Sequence, residues 1–191
     1  MSNESSITRA NLLAQMVSDP SVTTDVLADQ ERQFEGSRLA GPPPVERLEE
    51  SESPAYVLTN AKRGIGLGSK RRTTEPDEDR GTIFLVTGRR VLCIVGSEPD
   101  DEAFDIPYES VASVTPHTGW LANRLEIRTP LKAYHCWTDR KDDDVLHAAA
   151  EFIDQRAAEE PEELSRRDGA SRITYRGQPT GTQTDTSRSS N

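Results

Sequence analysis

Cysteine occurs only twice in the 191 residues, at Cys93 and Cys136, both in apolar, strand-like runs. Two thiols so placed read as free side chains buried in a reducing cytosol rather than as a disulfide framework. Long apolar runs are missing. None approaches the ~18 residues of a membrane span, so no transmembrane helix is expected. The opening MSNESSITRA has no basic stretch followed by an apolar one, and no secretory signal is expected. Aromatic residues make up 5% of the chain, hydrophobic residues 33% and charged residues 29%. The ordered core should therefore be smaller than the chain, with part of it disordered. Lysine is nearly absent, with only Lys62, Lys70, Lys132 and Lys141 against 19 arginines. Together with the net charge of −10, that scarcity suits a protein of a salt-rich cytoplasm; the alternative is an ordinary acidic cytosolic protein from a GC-rich genome.

The charge is uneven. Residues 1–53 hold ten acidic and four basic side chains, a net −6; residues 54–158 carry −3 and residues 159–191 carry −1. An acidic chain of this kind is a poor partner for nucleic acid, where affinity comes from neutralising phosphates.

The apolar pattern divides the chain into three parts. Residues 1–53 form an N-terminal helical extension. Leu12, Leu13, Met16 and Val17 recur at helical spacing before Asp19-Pro20, and Val26, Leu27, Gln30 and Phe34 share the face of a second helix. Thr23 or Thr24 is its cap and Gly36 its stop. After Gly41-Pro42-Pro43-Pro44 a short helix to Glu50 points Val45 and Leu48 inward.

From residue 54 the period becomes that of strands. Ala55–Asn60 is the first. Ile83–Val86 and Val91–Val95 flank Thr87-Gly88-Arg89-Arg90, an antiparallel hairpin with a tight turn. Phe104–Val114 reads as one strand bent at Pro107. Leu121–Thr129 follows, with Leu125 and Ile127 on one side and Glu126 and Arg128 on the other. Ala133–Thr138 is the last strand. Between Lys141 and Ala158 the period returns to 3.6, with Val145, Leu146, Ala149, Phe152 and Ile153 inward and Asp142, Asp143 and Asp144 at the positive end of the helix dipole. Residues 159–191 read as a disordered polar tail.

The runs Leu85-Val86-Thr87-Gly88-Arg89-Arg90-Val91-Leu92 and Ile106-Pro107-Tyr108-Glu109-Ser110-Val111 resemble the "LTxxRhh … IPYxxI" pattern of bacterial and archaeal PH-like domains of the YokE-like kind. The resemblance spans residues 54–157 and is loosest over 61–80. It implies an α+β fold: a bent, seven-stranded antiparallel barrel capped by one C-terminal amphipathic helix. It also implies a binding or localisation module without enzymatic activity or cofactor.

The candidate ligand-binding residues are Lys62, Arg63, Lys70, Arg71 and Arg72, with Arg89, Arg90 and Trp120. In a PH-like barrel the loop after the first strand rims the open end, where arginine forks could hold phosphate oxygens. The plainer alternative is a solvated loop pairing with Glu75, Asp77, Glu78 and Asp79. Trp120, in a turn-like HTGW, is either an exposed anchor or a lid on the barrel end; Trp137 is expected under the C-terminal helix. Gly64-Ile65-Gly66-Leu67-Gly68 lacks the spacing of a phosphate loop and reads as a strand with glycines at tight positions. His117, His135 and His147 show no zinc-ligand spacing, and no acid–base or nucleophilic constellation is present.

The leading expectation is a cytoplasmic, non-catalytic adaptor that meets a protein partner, or a second copy of itself, through its N-terminal helices. The alternative is a peripheral membrane or anionic-ligand binder acting through the basic rim, which the −6 extension could fold over and mask.

Overall fold

The computed structural model describes residues 3–30, 38–140 and 143–170. Nine strands among them form two antiparallel sheets. Strands β1 (Pro54–Asn60), β4 (Thr82–Thr87), β5 (Arg90–Val95) and β6 (Glu102–Pro107) make the first, in the order β1-β4-β5-β6. Strands β2 (Ile65–Leu67), β3 (Thr73–Thr74), β7 (Ser113–His117), β8 (Asn123–Arg128) and β9 (Ala133–Thr138) make the second, in the order β3-β2-β9-β8-β7. Helix α3 (Asp143–Ala170) closes the open side, with Leu146, Ala149, Ala150 and Ile153 buried in the core between the sheets. Cys93 and Cys136 meet in that core with their sulfurs 3.8 Å apart, and both are free. Burial pushes the Cys93 thiol up.

The hairpin forms as its pattern predicts. Six-residue β4 and β5 pair from Thr82↔Val95 to Val86↔Val91, leaving Gly88 and Arg89 as the turn. The strand expected over 104–114 is instead two. β6 ends at Pro107, which has no N–H to continue a ladder. A 3-10 turn over Tyr108–Ser110 then carries the chain to β7 in the other sheet. The two motif runs meet here. The Tyr108 hydroxyl donates to the Thr87 carbonyl at 2.5 Å, and Thr87 Oγ1 accepts the backbone N–H groups of Arg89 and Arg90, each at 3.2 Å.

Segment 61–80, expected as a polar loop, adds β2 and β3 as a small ribbon on the edge of β9. That is why nine strands appear and not seven. Its glycines are required by close approach: a Cβ on Gly64 would lie 1.7 Å from the Thr74 carbonyl oxygen, and one on Gly66 would lie 2.5 Å from that of Ser69.

The N-terminal segment packs on the outer face of the first sheet and builds a second core there. Helix α1 (Asn3–Met16) turns Ser6, Ala10 and Leu13 inward, joined by Val22, Leu27, Leu39, Val45 and Leu48, against Val57, Ile83, Leu85, Leu92 and Ile94. The inward stripe is thus rotated from the expected one: Leu13 is inside, while Leu12 and Met16 are exposed. Helix α2 (Thr24–Leu27) is one turn long, capped by Thr23, whose hydroxyl accepts the Val26 N–H at 3.2 Å. It stops at Asp29, which takes a positive φ of 54° and accepts the N–H groups of Arg38 and Leu39 at 2.8 and 2.9 Å. Phe34, Gly36 and the tail from 171 onward lie outside the described residues. Helix α3 runs past the expected end at Ala158.

Candidate functional site: a basic groove with an apolar tip

Two buried asparagines build the site. Asn60 ends β1, and its Oδ1 accepts the N–H groups of Lys62 and Arg63 at 2.9 and 2.7 Å. This is an Asx turn, and it fixes the backbone under both cations. Asn123 opens β8. Its Oδ1 accepts the Gly119 N–H at 3.2 Å, and its Nδ2 donates to the Asp139 carbonyl at 3.4 Å and to the Asp143 carboxylate. The loop 118–122 is thereby tied to the connection between β9 and α3. Between these loops runs a groove of about 430 Å³, lined by Lys62, Arg63, Leu121, Ala122, Asp139 and Arg140. At its lip Trp120 is 82% exposed and Leu121 76% exposed. Trp120 is therefore an exposed side chain and not a lid on the barrel.

The other sequence candidates are elsewhere. Lys70, Arg71 and Arg72 are exposed at the tip of the β2–β3 ribbon, beside Ala133, whose carbonyl accepts the Gly68 N–H at 2.7 Å. Arg63 lies by Trp137, four positions along β9, roughly 13 Å away at about 3.3 Å per residue. Arg71 and Arg72 border a separate open groove with Glu75. Among the described residues no ion pair joins Lys62–Arg72 to Glu75, Asp77, Glu78 or Asp79. Arg89 and Arg90 lie at the opposite end of β1: Asn60 pairs with Thr82, whereas Pro54 pairs with Thr87, a separation of about 17 Å along the strands. Arg89 pairs with Glu49. Arg90 grips Glu52 through Nε and Nη2, both at 2.9 Å, and also pairs with Asp105. Those hydrogen bonds to Glu52, against the cost of burial, raise the Arg90 pKa. The acidic extension thus meets Arg89 and Arg90, and among the described residues it forms no ion pair with Lys62–Arg72.

Trp137 does not pack under the helix. It stands on the outer face of the second sheet, with the Arg63 guanidinium 4.6 Å and the Arg124 guanidinium 5.6 Å from its ring centroid. Beside it Glu126 is a hub that sequence reasoning missed. Its carboxylate takes Arg128 Nε at 2.7 Å, His117 Nε2 at 3.2 Å and Arg124 Nη2 at 3.3 Å, with His135 Nδ1 at 3.6 Å. The alternation Arg124, Glu126, Arg128 was the available signal; the histidines arrive only through strand pairing.

This hub sets a pH response. Burial of Glu126 would raise its pKa, but Arg128, His135 and Arg124 outweigh it and hold the carboxyl below its usual value of 4.5. Burial pushes His135 below its usual 6.5, against the pull of Glu126. A lowered histidine favours the unfolded state as protons bind, and so does a lowered carboxylate. Stability should therefore fall as pH drops below about 6.5, and again below about 4.5. Thermal melts between pH 8 and 4 check this; His135→Gln should remove the upper step, and a flat wild-type profile would contradict it.

Two antiparallel sheets and one closing C-terminal helix, with a ribbon inserted after the first strand, define the architecture. The fold is PH-like. No protein-family model matches the chain, and no curated protein matches it. Among solved structures the Vps36 N-terminal PH domain is similar, at 18% identity and a TM-score of 0.44, over 61% of this chain and 87% of that one. Within this PH-like barrel, no helix among the described residues is long and apolar enough to cross a membrane, and no three His, Cys, Asp or Glu side chains among them are placed to hold a metal ion.

Proposed function

We propose that the protein is a non-catalytic interaction module that docks on an anionic membrane surface through the groove beside Asn60 and Asn123. The observation that carries this is the exposed pair Trp120 and Leu121 on one side of a groove lined by three cations, Lys62, Arg63 and Arg140, against a single carboxylate, Asp139. An indole next to cations suits the boundary between headgroups and acyl chains, where the ring is half wet and the charges face lipid phosphates. Three cations, each contributing about 1 kcal/mol near such a surface, and two apolar side chains make a reversible attachment rather than a permanent anchor. The docking of the extension on its own barrel supports this over self-association through its main apolar face.

Co-sedimentation with phosphatidylserine and neutral vesicles tests the reading. Wild type should pellet with the anionic vesicles only, and less at high salt, since the Debye length shrinks to ~3 Å at 1 M. Trp120→Ala with Leu121→Ser should weaken binding at least about tenfold, from the lost burial of two large apolar groups. Lys70→Ser with Arg71→Ser and Arg72→Ser should have the smaller effect. If wild type pellets under no condition, a protein partner becomes the working answer, and Leu12 and Met16 on the outer side of α1 are the first surface to probe.

A further inference from the structure

On the outer face of the second sheet, three buried nitrogens make no hydrogen bond: Arg124 Nε, Trp137 Nε1 and His135 Nδ1, the last lying 3.6 Å from the Glu126 carboxylate. Arg124 is 8% exposed and His135 7%. Orphaned buried donors are uncommon, because each gives up its water without replacement. These three are also neighbours. Arg124 pairs with Trp137 across the β8–β9 ladder, and His135 lies on the same face of β9. The Arg63 guanidinium covers the same indole. Two guanidiniums therefore crowd one ring with no acceptor for Arg124 Nε or the indole N–H. Glu126 does not fill that role, as its oxygens are taken by Arg128, His117 and Arg124 Nη2. Arg124 and Arg128 face that carboxylate and Arg63 lies over the neighbouring indole, a local positive surplus on a chain of net charge −10.

We propose that this face is a site for a phosphate-type oxyanion, seated between Arg63, Arg124 and the indole N–H of Trp137. A tetrahedral anion offers several acceptor oxygens to donors that converge from a strand and a loop, and guanidinium forks match it. Arg63 is the movable part. Asn60 fixes its backbone, while its side chain is exposed and forms no ion pair among the described residues, so it can lift from the ring and close over the anion. The site shares Arg63 with the membrane-docking groove but does not depend on that reading, because a soluble phosphate ester fits it equally.

The chain has two tryptophans, so its proton–nitrogen NMR spectrum holds two indole resonances, which Trp120→Phe assigns. The full chain is titrated with inorganic phosphate, and separately with chloride at equal ionic strength. The expected result is a saturable shift of the Trp137 indole with phosphate alone, while Trp120 stays put. Arg124→Gln and Arg63→Gln should each weaken the affinity about tenfold, as loss of one charge-assisted hydrogen bond does. Should Arg124→Gln lose its fold, as the same spectrum reports, Trp137→Phe carries the test. It keeps the ring and removes only the N–H, and phosphorus NMR then reads weaker binding. A shift that chloride reproduces, a shift that never saturates, or unchanged affinity in Trp137→Phe overturns the proposal. Vesicles of phosphatidic acid, a lipid monoester, identify the source: binding that inorganic phosphate competes away assigns the site to a headgroup, and binding of phosphate without such vesicles assigns it to a soluble ester. Failure of the indole shift with phosphatidylserine pelleting intact would leave the membrane reading standing, and the converse would leave the anion site.

Discussion

Glu52→Ala is expected to destabilise the whole chain by about 3–5 kcal/mol, the usual cost of leaving one member of a buried ion pair alone. The Glu52 side chain is fully buried, and every acceptor position on it is used. It takes Thr87 Oγ1 at 2.8 Å, Arg90 Nε and Nη2 at 2.9 Å each, and the Glu49 N–H at 3.0 Å. Burial would raise its pKa, but these hydrogen bonds, led by Arg90, hold it below the usual value. Removing the carboxylate leaves the Arg90 guanidinium, half-buried, with only Asp105 and the Arg47 carbonyl. It also frees the Thr87 hydroxyl that organises the hairpin turn. Two regions loosen together: the β4–β5 turn and the seam that joins residues 49–52 to it. Urea unfolding should show the loss directly, and a thermal melt should show a drop in Tm of about 10 °C or more. Arg89→Ala, which breaks only the exposed pair with Glu49, should cost less than about 1 kcal/mol. Equal effects of the two substitutions would contradict this account.

Deleting residues 1–53 is expected to do more damage still. The outer face of the first sheet is apolar: Val57, Ile83, Leu85, Leu92 and Ile94 are all buried, and they are covered by the N-terminal segment. Uncovering five such side chains at about 1.5–3 kcal/mol each forfeits about 8–15 kcal/mol, as much as a domain's entire stability. The truncated chain should therefore aggregate or bind hydrophobic dyes. It should not emerge as a folded binder with a newly uncovered basic rim, because the acidic residues Glu49 and Glu52 lie against Arg89 and Arg90, far from Lys62 and Arg63. A soluble, monomeric truncation with a cooperative melt would overturn this expectation. It would show that the strands tolerate an open apolar face.

The exposed α1 side chains bear on the same point. Leu12 and Met16 were legible as apolar residues at helical spacing, yet a four-residue periodic pattern does not say which edge of its stripe faces inward. Ala10 and Ser6, small and unremarkable in the sequence, decide it, because they let the helix approach the sheet.

What the sequence determined by itself is what a few neighbouring residues encode. The two β-branched runs around Thr87-Gly88-Arg89-Arg90 specify an antiparallel hairpin with a short turn, which forms as β4 and β5. Alternation over Ala133–Thr138 and the 3.6 period after Asp143 specify the last strand and the closing helix. Turn chemistry and side-chain period act over short distances, so they can be read in order along the chain. Only the tertiary structure decided the rest. It folded 65–74 into a ribbon, and divided eight candidate residues among the groove lip, the ribbon tip and the far end of the hairpin. It joined Glu52 to Arg90, and gathered His117, Arg124, Arg128 and His135 around Glu126. Each of these depends on strand register and sheet order, which place residues tens of positions apart within a few ångströms. A slip of one position would send every side chain on a strand to its opposite face, and no local pattern around Trp137 or Glu126 says which strand lies beside it.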